Sequence, residues 1–169
     1  MPYTGNEQDQ QDRQNQQAAP GAPADLAVSE DNVKLVLRGP DGEVKHEQTV
    51  HNLITTAGRN AIVARLASTP GTAVPTHMAI GTGTTAANAI DTTLQTELDR
   101  NALTSNTVSA NVLTMVGNWA VGDGTGAITE AGVLSAVTVG TLFSRAVFTV
   151  INKAAGDTLQ ITWTYTLTV

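Results

Sequence analysis

Two oppositely charged residues stand inside apolar stretches of the sequence, Glu130 in ITEAG and Arg145 in LFSRAVF. A carboxylate in such a setting can act as a general acid or base, and two nearby carboxylates can hydrolyse a glycosidic bond. Five other acids lie in or beside turn sequences, where turn and capping roles explain them: Asp41, Glu43, Asp91, Asp123 and Asp157. We therefore expect Glu130 and Arg145 to form a structural ion pair across neighbouring strands.

Residue types that usually bind metals or act as nucleophiles are sparse. His46, His51 and His77 fit no H-x-x-x-H or H-E-x-x-H spacing, and the chain has no cysteine. No serine stands in a G-x-S-x-G sequence. These patterns predict neither a cofactor nor a metal, and they favour a protein that is not an enzyme.

The stretch GTGTT, residues 81–85, has the glycines of a phosphate-binding loop but not their spacing. The pattern G-x-x-x-x-G-K is absent, and Ala86 stands where G-x-G-x-x-G requires its third glycine. We interpret GTGTT as a polar turn that follows a buried strand.

Residues 159–169, LQITWTYTLTV, alternate strictly between apolar and polar side chains. Such alternation is typical of a half-buried strand, with Trp163 and Tyr165 on the apolar face and threonines on the other. We predict that this strand lies centrally in a sheet and that both aromatic side chains are structural residues of the core.

Strand signals recur along most of the remaining chain. Residues 32–51 alternate around the turn sequence PDG and predict a β-hairpin. Residues 76–169 predict further strands, separated by turn sequences such as GDGTG and KAAGD. Strands at this spacing indicate a mainly β domain over residues 32–169, an antiparallel β-sandwich or jelly-roll-like fold.

One helix is predicted inside this β domain, over about residues 56–67. A threonine of the pair at 55–56 can cap its start, and three apolar residues share one of its faces: Ile62, Val63 and Leu66. A second, short helix is predicted over residues 91–98, DTTLQTEL.

The first 31 residues differ in composition from the rest of the chain. Six glutamines fall within positions 8–17, and AAPGAPA follows. Such a segment cannot bury enough apolar surface to fold by itself. We predict an extended, low-complexity arm that binds a neighbouring surface, and the alternative is a loose solubilising tail. The residues expected to make these contacts are Pro2, Tyr3, Gln8, Gln11, Arg13, Gln14, Gln17, Pro20 and Pro23.

Charge is distributed unevenly along the chain. Residues 1–31 contain six acids and one base, a net charge of −5, whereas residues 32–169 contain nine acids and eight bases, a net charge of −1. No basic stripe of the kind that binds nucleic acid is present. No apolar run approaches the roughly 20 residues of a membrane-spanning helix. We expect neither a nucleic acid nor a membrane as partner.

Four stretches between residues 52 and 169 follow one another in a distinctive order. They are NLITTAGRNAIVARLA, HMAIGTGTTAANAIDTTLQTEL, GAITEAGVLSA and GTLFSRAVFTVINKAAGDTLQITWTYTLTV. In sequence and order they resemble a recurrent family of virion surface proteins of tailed bacteriophages, whose members are head decoration, head fibre or tail fibre proteins. Unlike a long fibre, this chain has no collagen-like repeat and no coiled-coil heptads.

The resemblance implies a structural protein on the exterior of the virion capsid, assembled in the host cytoplasm. Such a decoration or cement protein would stabilise the shell by binding neighbouring major capsid proteins, with the N-terminal arm as the attachment. Copies of the chain are expected to associate, and a homotrimer is the expected form. The alternative is a tail-fibre, head-fibre or baseplate component that adsorbs to the host. The few aromatic residues, most of them on apolar strand faces, disfavour a carbohydrate-binding surface.

Overall fold

A computed structural model describes residues 27–69, 71 and 73–168, with side chains from Val33 onward. Within these ranges the chain forms one helix and ten strands. They are β1 (Ala27–Arg38), β2 (Val44–Val50), β3 (Leu53–Ile54), α1 (Thr56–Leu66), β4 (His77–Gly81), β5 (Glu97–Ala102), β6 (Ser105–Ser109), β7 (Val112–Trp119), β8 (Gly126–Leu134), β9 (Leu142–Lys153) and β10 (Thr158–Thr168).

The strands form two antiparallel sheets of five strands each. The first sheet has the order β2-β1-β10-β7-β6, and the second has the order β3-β9-β8-β4-β5. Side chains from both sheets meet in one apolar core, which includes Leu35 and Trp163 from the first sheet and Ile80 and Phe148 from the second. The predicted mainly β, sandwich-like fold is confirmed.

Strand β10 is the middle strand of the first sheet, as its alternating sequence predicts. It pairs with β1 on one side and with β7 on the other. Trp163 lies opposite Val33 on β1 and Met115 on β7, and all three side chains are fully buried. Thr162 and Thr164, on the opposite face of the strand, are only half-buried. The apolar face of β10 therefore packs into the core between the two sheets.

The predicted hairpin over residues 32–51 corresponds to β1 and β2, but β1 begins earlier. Ala27 lies opposite Thr168, and the pairing passes an irregularity between Ser29 and Asn32 before it continues toward Arg38. Pairing with β10 thus crosses the boundary predicted between residues 31 and 32. The cause is the length of β10, whose final residues offer backbone donors and acceptors to three additional residues of β1, Ala27, Val28 and Ser29.

Helix α1 begins and ends close to the predicted positions, but of the three apolar residues predicted to share a face only Ile62 packs against the core. Thr55 caps the helix, because its Oγ1 accepts a hydrogen bond of 3.0 Å from the backbone N–H of Gly58. The buried residues of the helix are Gly58 and Ala61, whereas Val63 is 65% exposed and Leu66 is 76% exposed. Small residues face the sheet because the helix backbone lies very close to β9.

This close approach makes Gly58 a test of the packing. A Cβ atom added at Gly58 would lie 2.2 Å from the carbonyl oxygen of Phe143. Alanine favours a helix over glycine by about 1 kcal/mol. We nevertheless expect Gly58→Ala to lower the free energy of unfolding by about 1–3 kcal/mol, because α1 must move away from β9. Urea denaturation measures this change.

The matched control is Asn60→Ala at an exposed position of the same helix. It should leave stability unchanged or raise it slightly, because alanine has the higher helix propensity. A Gly58→Ala protein as stable as its parent would contradict the close contact between α1 and β9.

Residues 91–98 do not form the predicted second helix. Residues 91–96 form irregular structure with bends, and residues 97–98 are the start of β5. Leu94 from this segment packs on the outer side of the second sheet in a small apolar cluster with Ala79, Leu134 and Leu142. The connection between β4 and β5 therefore covers the outer side of the second sheet. Three of its backbone N–H groups donate hydrogen bonds to the buried carboxylate of Glu130.

Candidate functional site

The most concentrated polar feature of the described residues surrounds Glu130 on β8. Its side chain is fully buried, and both carboxylate oxygens accept hydrogen bonds. Oε1 accepts from the backbone N–H of Gly83 at 3.0 Å and of Thr96 at 2.7 Å. Oε2 accepts from the backbone N–H of Gln95 at 3.0 Å and from Nε of Arg145 at 2.8 Å. The pair predicted from the sequence is present, within a larger network.

Arg145 on β9 extends this network to the loop that follows β4. Its Nη1 donates to Asp91 Oδ2 at 2.9 Å, and its Nη2 donates to the carbonyl oxygen of Thr85 at 3.0 Å. The guanidinium group is almost fully buried. A planar group with five donors can hold several loop atoms in fixed positions at once. Arg145 therefore joins two strands of the sheet to the cover over it.

The electrostatics of the network favour an ionised Glu130 at neutral pH. Burial alone would raise the pKa of Glu130, but the hydrogen bonds from Thr96, Gln95 and Arg145 outweigh it and lower the pKa. An ionised carboxylate whose oxygens already accept four hydrogen bonds has no proton to donate at neutral pH. The arrangement is suited to fixing the Gly81–Gly83 backbone, where an added Cβ at either glycine would collide with the Glu130 side chain.

An open cleft of about 360 Å³ lies above the network. Its lining includes Thr85, Asp91, Gln95 and Arg145. The polar groups of these residues also bond to one another, since Gln95 accepts from the N–H of Thr85 at 2.9 Å and donates to its hydroxyl at 2.6 Å. Most polar groups that line the cleft are thus hydrogen-bonded to other residues of the cleft lining.

A second buried set of charges lies at the turn between β9 and β10. Asp157 accepts hydrogen bonds from Nζ of Lys45 at 2.7 and 2.9 Å and from the N–H of Ala154 at 3.0 Å. The hydrogen bonds from Lys45 and Ala154 lower the pKa of Asp157. Lys153 is almost fully buried and donates to the carbonyl oxygen of Ala120 at 2.9 Å. Burial lowers the pKa of its ammonium group. These contacts fix the predicted KAAGD turn.

Acid should destabilise the protein through Glu130 and Asp157. Both carboxyl groups have a pKa in the folded state below the ordinary value of about 4. Their contribution to stability is therefore present above pH 4 and is lost as the pH falls through the folded-state pKa values. We expect the free energy of unfolding, measured by urea denaturation, to fall steeply below about pH 4.

The control for the acid titration is Asp157→Asn, which removes one of the two groups. Its free energy of unfolding should be lower at pH 7 and should depend less on pH below 4. A parent protein that becomes more stable between pH 5 and pH 3 would contradict the assignment.

The remaining residues predicted as structural also lie in the described domain. Trp163 is fully buried, and Tyr165 is buried with its hydroxyl group bonded to Ser144 Oγ. These two aromatic residues belong to the core and make none of the hydrogen bonds described for Glu130. The nine predicted contact residues of the arm, from Pro2 to Pro23, lie outside the described residues.

Sequence pattern gives no place in the network to five of its residues: Gly83, Thr85, Asp91, Gln95 and Thr96. The pattern puts the first two in a polar turn and the other three in a short helix. The signal that points to them is Glu130 itself. A buried carboxylate needs several donors, and Arg145 supplies only one of them, so the backbone of a nearby loop must supply the others.

Two further properties concern the described residues alone. No group of three or more histidine, cysteine, aspartate or glutamate side chains among them could hold a metal ion. None of the helical segments described is long and apolar enough to cross a membrane.

Comparison with known proteins gives no relative from which a function could be transferred. A scan against family models, a search of curated proteins and a search of solved structures each return no match to this chain.

Proposed function

We propose that this protein is a structural component of a tailed-bacteriophage virion. It decorates the outside of the capsid and stabilises the shell by binding neighbouring major capsid proteins. The observation that carries this proposal is the resemblance of residues 52–169 to virion surface proteins. Three of the stretches that carry the resemblance, AIGTGT, ITEAG and LFSRAVF, contribute Gly83, Glu130 and Arg145 to the buried network.

The network supports a holding role for these stretches. Their charged and polar groups bond to one another and to the loop that covers the second sheet. They therefore maintain the shape of a rigid domain, and its surfaces remain available for contacts. A decoration protein requires such a domain and requires no reactive group.

Stabilisation of the shell follows from mass action. A protein that binds only the assembled lattice lowers the free energy of that lattice relative to its separated subunits. The residues before β1, 1–26, contain four acids and one base, a net charge of −3, so a basic surface of the capsid is the favoured site of the arm. Association of the chain as a homotrimer would place three arms on one shell position and multiply weak attachments.

The number of copies per virion tests this proposal against a role in host adsorption. Quantitative mass spectrometry of purified particles gives the ratio of this protein to the major capsid protein. A capsid decoration occupies every equivalent lattice position, so we expect copies on the order of hundreds per particle. A few copies to some tens of copies would instead identify a fibre or baseplate component and would refute decoration.

A further inference from the structure

An apolar groove of about 220 Å³ lies where β6, β7 and β10 approach α1. Its lining includes Ile62, Val108, Leu113, Tyr165 and Leu167, and it contains no charged side chain. Val108 is 74% exposed and Leu167 is 41% exposed. Apolar side chains grouped in a concave surface and left in contact with water indicate a docking surface.

The described chain begins beside this groove. Ala27 lies opposite Thr168 at the end of β10, and Val28 lies opposite Leu167, which lines the groove. The backbone N–H of Leu167 donates to the carbonyl oxygen of Asn111 at 3.0 Å, and Asn111 lines the groove as well. The described part of the chain therefore begins at the rim of the groove.

The geometry points to residues 18–26 of the same chain, AAPGAPADL, as the occupant of this groove, with Leu26 as the side chain that fills it. Leu26 is the one large aliphatic residue between Tyr3 and Ala27, and Asp25 is the one charged residue of the nine. Pro20 and Pro23 restrict the backbone before it docks, which lowers the entropy lost on docking.

The length of this segment suits the span of the groove. The path from β1 across β10 and β7 to β6 covers three strand spacings, about 14 Å. Nine extended residues reach at most about 30 Å. Because the segment is joined directly to Ala27, its effective concentration at the groove is in the millimolar range, about what a short tether provides. This favours the chain's own segment over that of a second copy.

Docking of residues 18–26 would fix the place where residues 1–17 leave the domain. That stretch contains the six glutamines, and it would extend from the groove toward whatever neighbouring molecule it binds. The inference does not depend on the virion assignment, since it concerns only how the chain covers its own apolar surface.

A single introduced thiol can report whether the groove is covered. The chain has no cysteine, so Val108→Cys places one thiol in the groove of the full-length protein. Its rate of reaction with a water-soluble maleimide is then compared with the rate in a Leu26→Ser background. Burial of one leucine side chain shifts the equilibrium between the undocked and docked segment by a factor of about ten or more. We expect the thiol to react about tenfold more slowly when Leu26 is present.

Two controls separate docking from general changes in reactivity. Ala19→Ser, a substitution of similar size in the same segment, should leave the rate at Val108→Cys almost unchanged. Val121→Cys, in the turn between β7 and β8 and 62% exposed in the parent, should react equally fast with and without Leu26. Equal rates at Val108→Cys in both backgrounds would overturn the proposal. Protection that grows with protein concentration would overturn the assignment to the same chain.

Discussion

Arg145→Gln is expected to lower the free energy of unfolding by about 3–5 kcal/mol. Arg145 is the charged partner of Glu130, and the carboxylate is fully buried. Removing only the guanidinium group leaves an ionised carboxylate that has lost its compensating charge. It also leaves the carbonyl oxygen of Thr85 and the carboxylate of Asp91 without the donor that now holds them. Urea denaturation at pH 7 measures the change.

The matched control is Lys34→Gln, which breaks an ion pair of 2.8 Å with Glu47 on the surface of the first sheet. Both of those side chains are about half exposed. Water and salt screen such a pair, so the expected loss is below about 1 kcal/mol. If Arg145→Gln cost no more than Lys34→Gln, the buried network would not be a stabilising feature of the fold.

Trp163→Ala is expected to lower the free energy of unfolding by a similar amount, about 3–5 kcal/mol. Trp163 is fully buried at the middle of the central strand β10, between Val33 and Met115. A cavity at this position lies between both neighbouring strands of the first sheet, so the surrounding side chains cannot close it without moving one of the strand pairs. Thermal or urea unfolding followed by circular dichroism measures the loss.

Thr164→Ala is the control on the opposite face of the same strand. Thr164 lies opposite Thr114 on β7 and is only half-buried. The substitution removes little buried apolar surface and lowers β propensity slightly, so its cost should remain within about 1 kcal/mol. Equal losses for Trp163→Ala and Thr164→Ala would contradict the assignment of the two faces.

Features that depend on local pattern could be predicted from the sequence. The strict alternation of LQITWTYTLTV is sufficient to identify β10 and its buried face, because side chains of a strand alternate between the two faces. Glu130 and Arg145 could be paired because each stands in an apolar strand and requires a partner. Both predictions rest on local sequence pattern, which shows that a side chain is buried but not which distant residues surround it.

Features that depend on tertiary contacts could not be predicted in the same way. In α1, apolar periodicity indicates a face with Ile62, Val63 and Leu66, but only Ile62 of these packs against the core. The structure buries Gly58 and Ala61 instead, because the backbone of β9 is so close. Residues 91–98 have leucines spaced as in a helix, yet Glu130 takes the backbone N–H groups of Gln95 and Thr96. Both differences arise from partners distant in sequence.

The boundary between arm and domain shows a third limit of local pattern. The polar sequence SED, residues 29–31, gives no strand signal, and the arm was therefore predicted to extend to residue 31. The structure begins β1 at Ala27 because the end of β10 supplies a partner for it. A truncation intended to remove the arm should consequently end at residue 26, so that β1 remains complete.

Binding to undecorated capsids tests the central claim most directly. The full-length protein and a chain that lacks residues 1–26 would be mixed with purified shells, and bound copies per shell would be counted. We predict that the full-length protein binds in copies on the order of hundreds, as expected for a repeated lattice position, and that the truncated chain loses most of this binding. Unchanged binding of the truncated chain would contradict attachment through the arm. Absence of binding by the full-length protein would contradict capsid decoration itself.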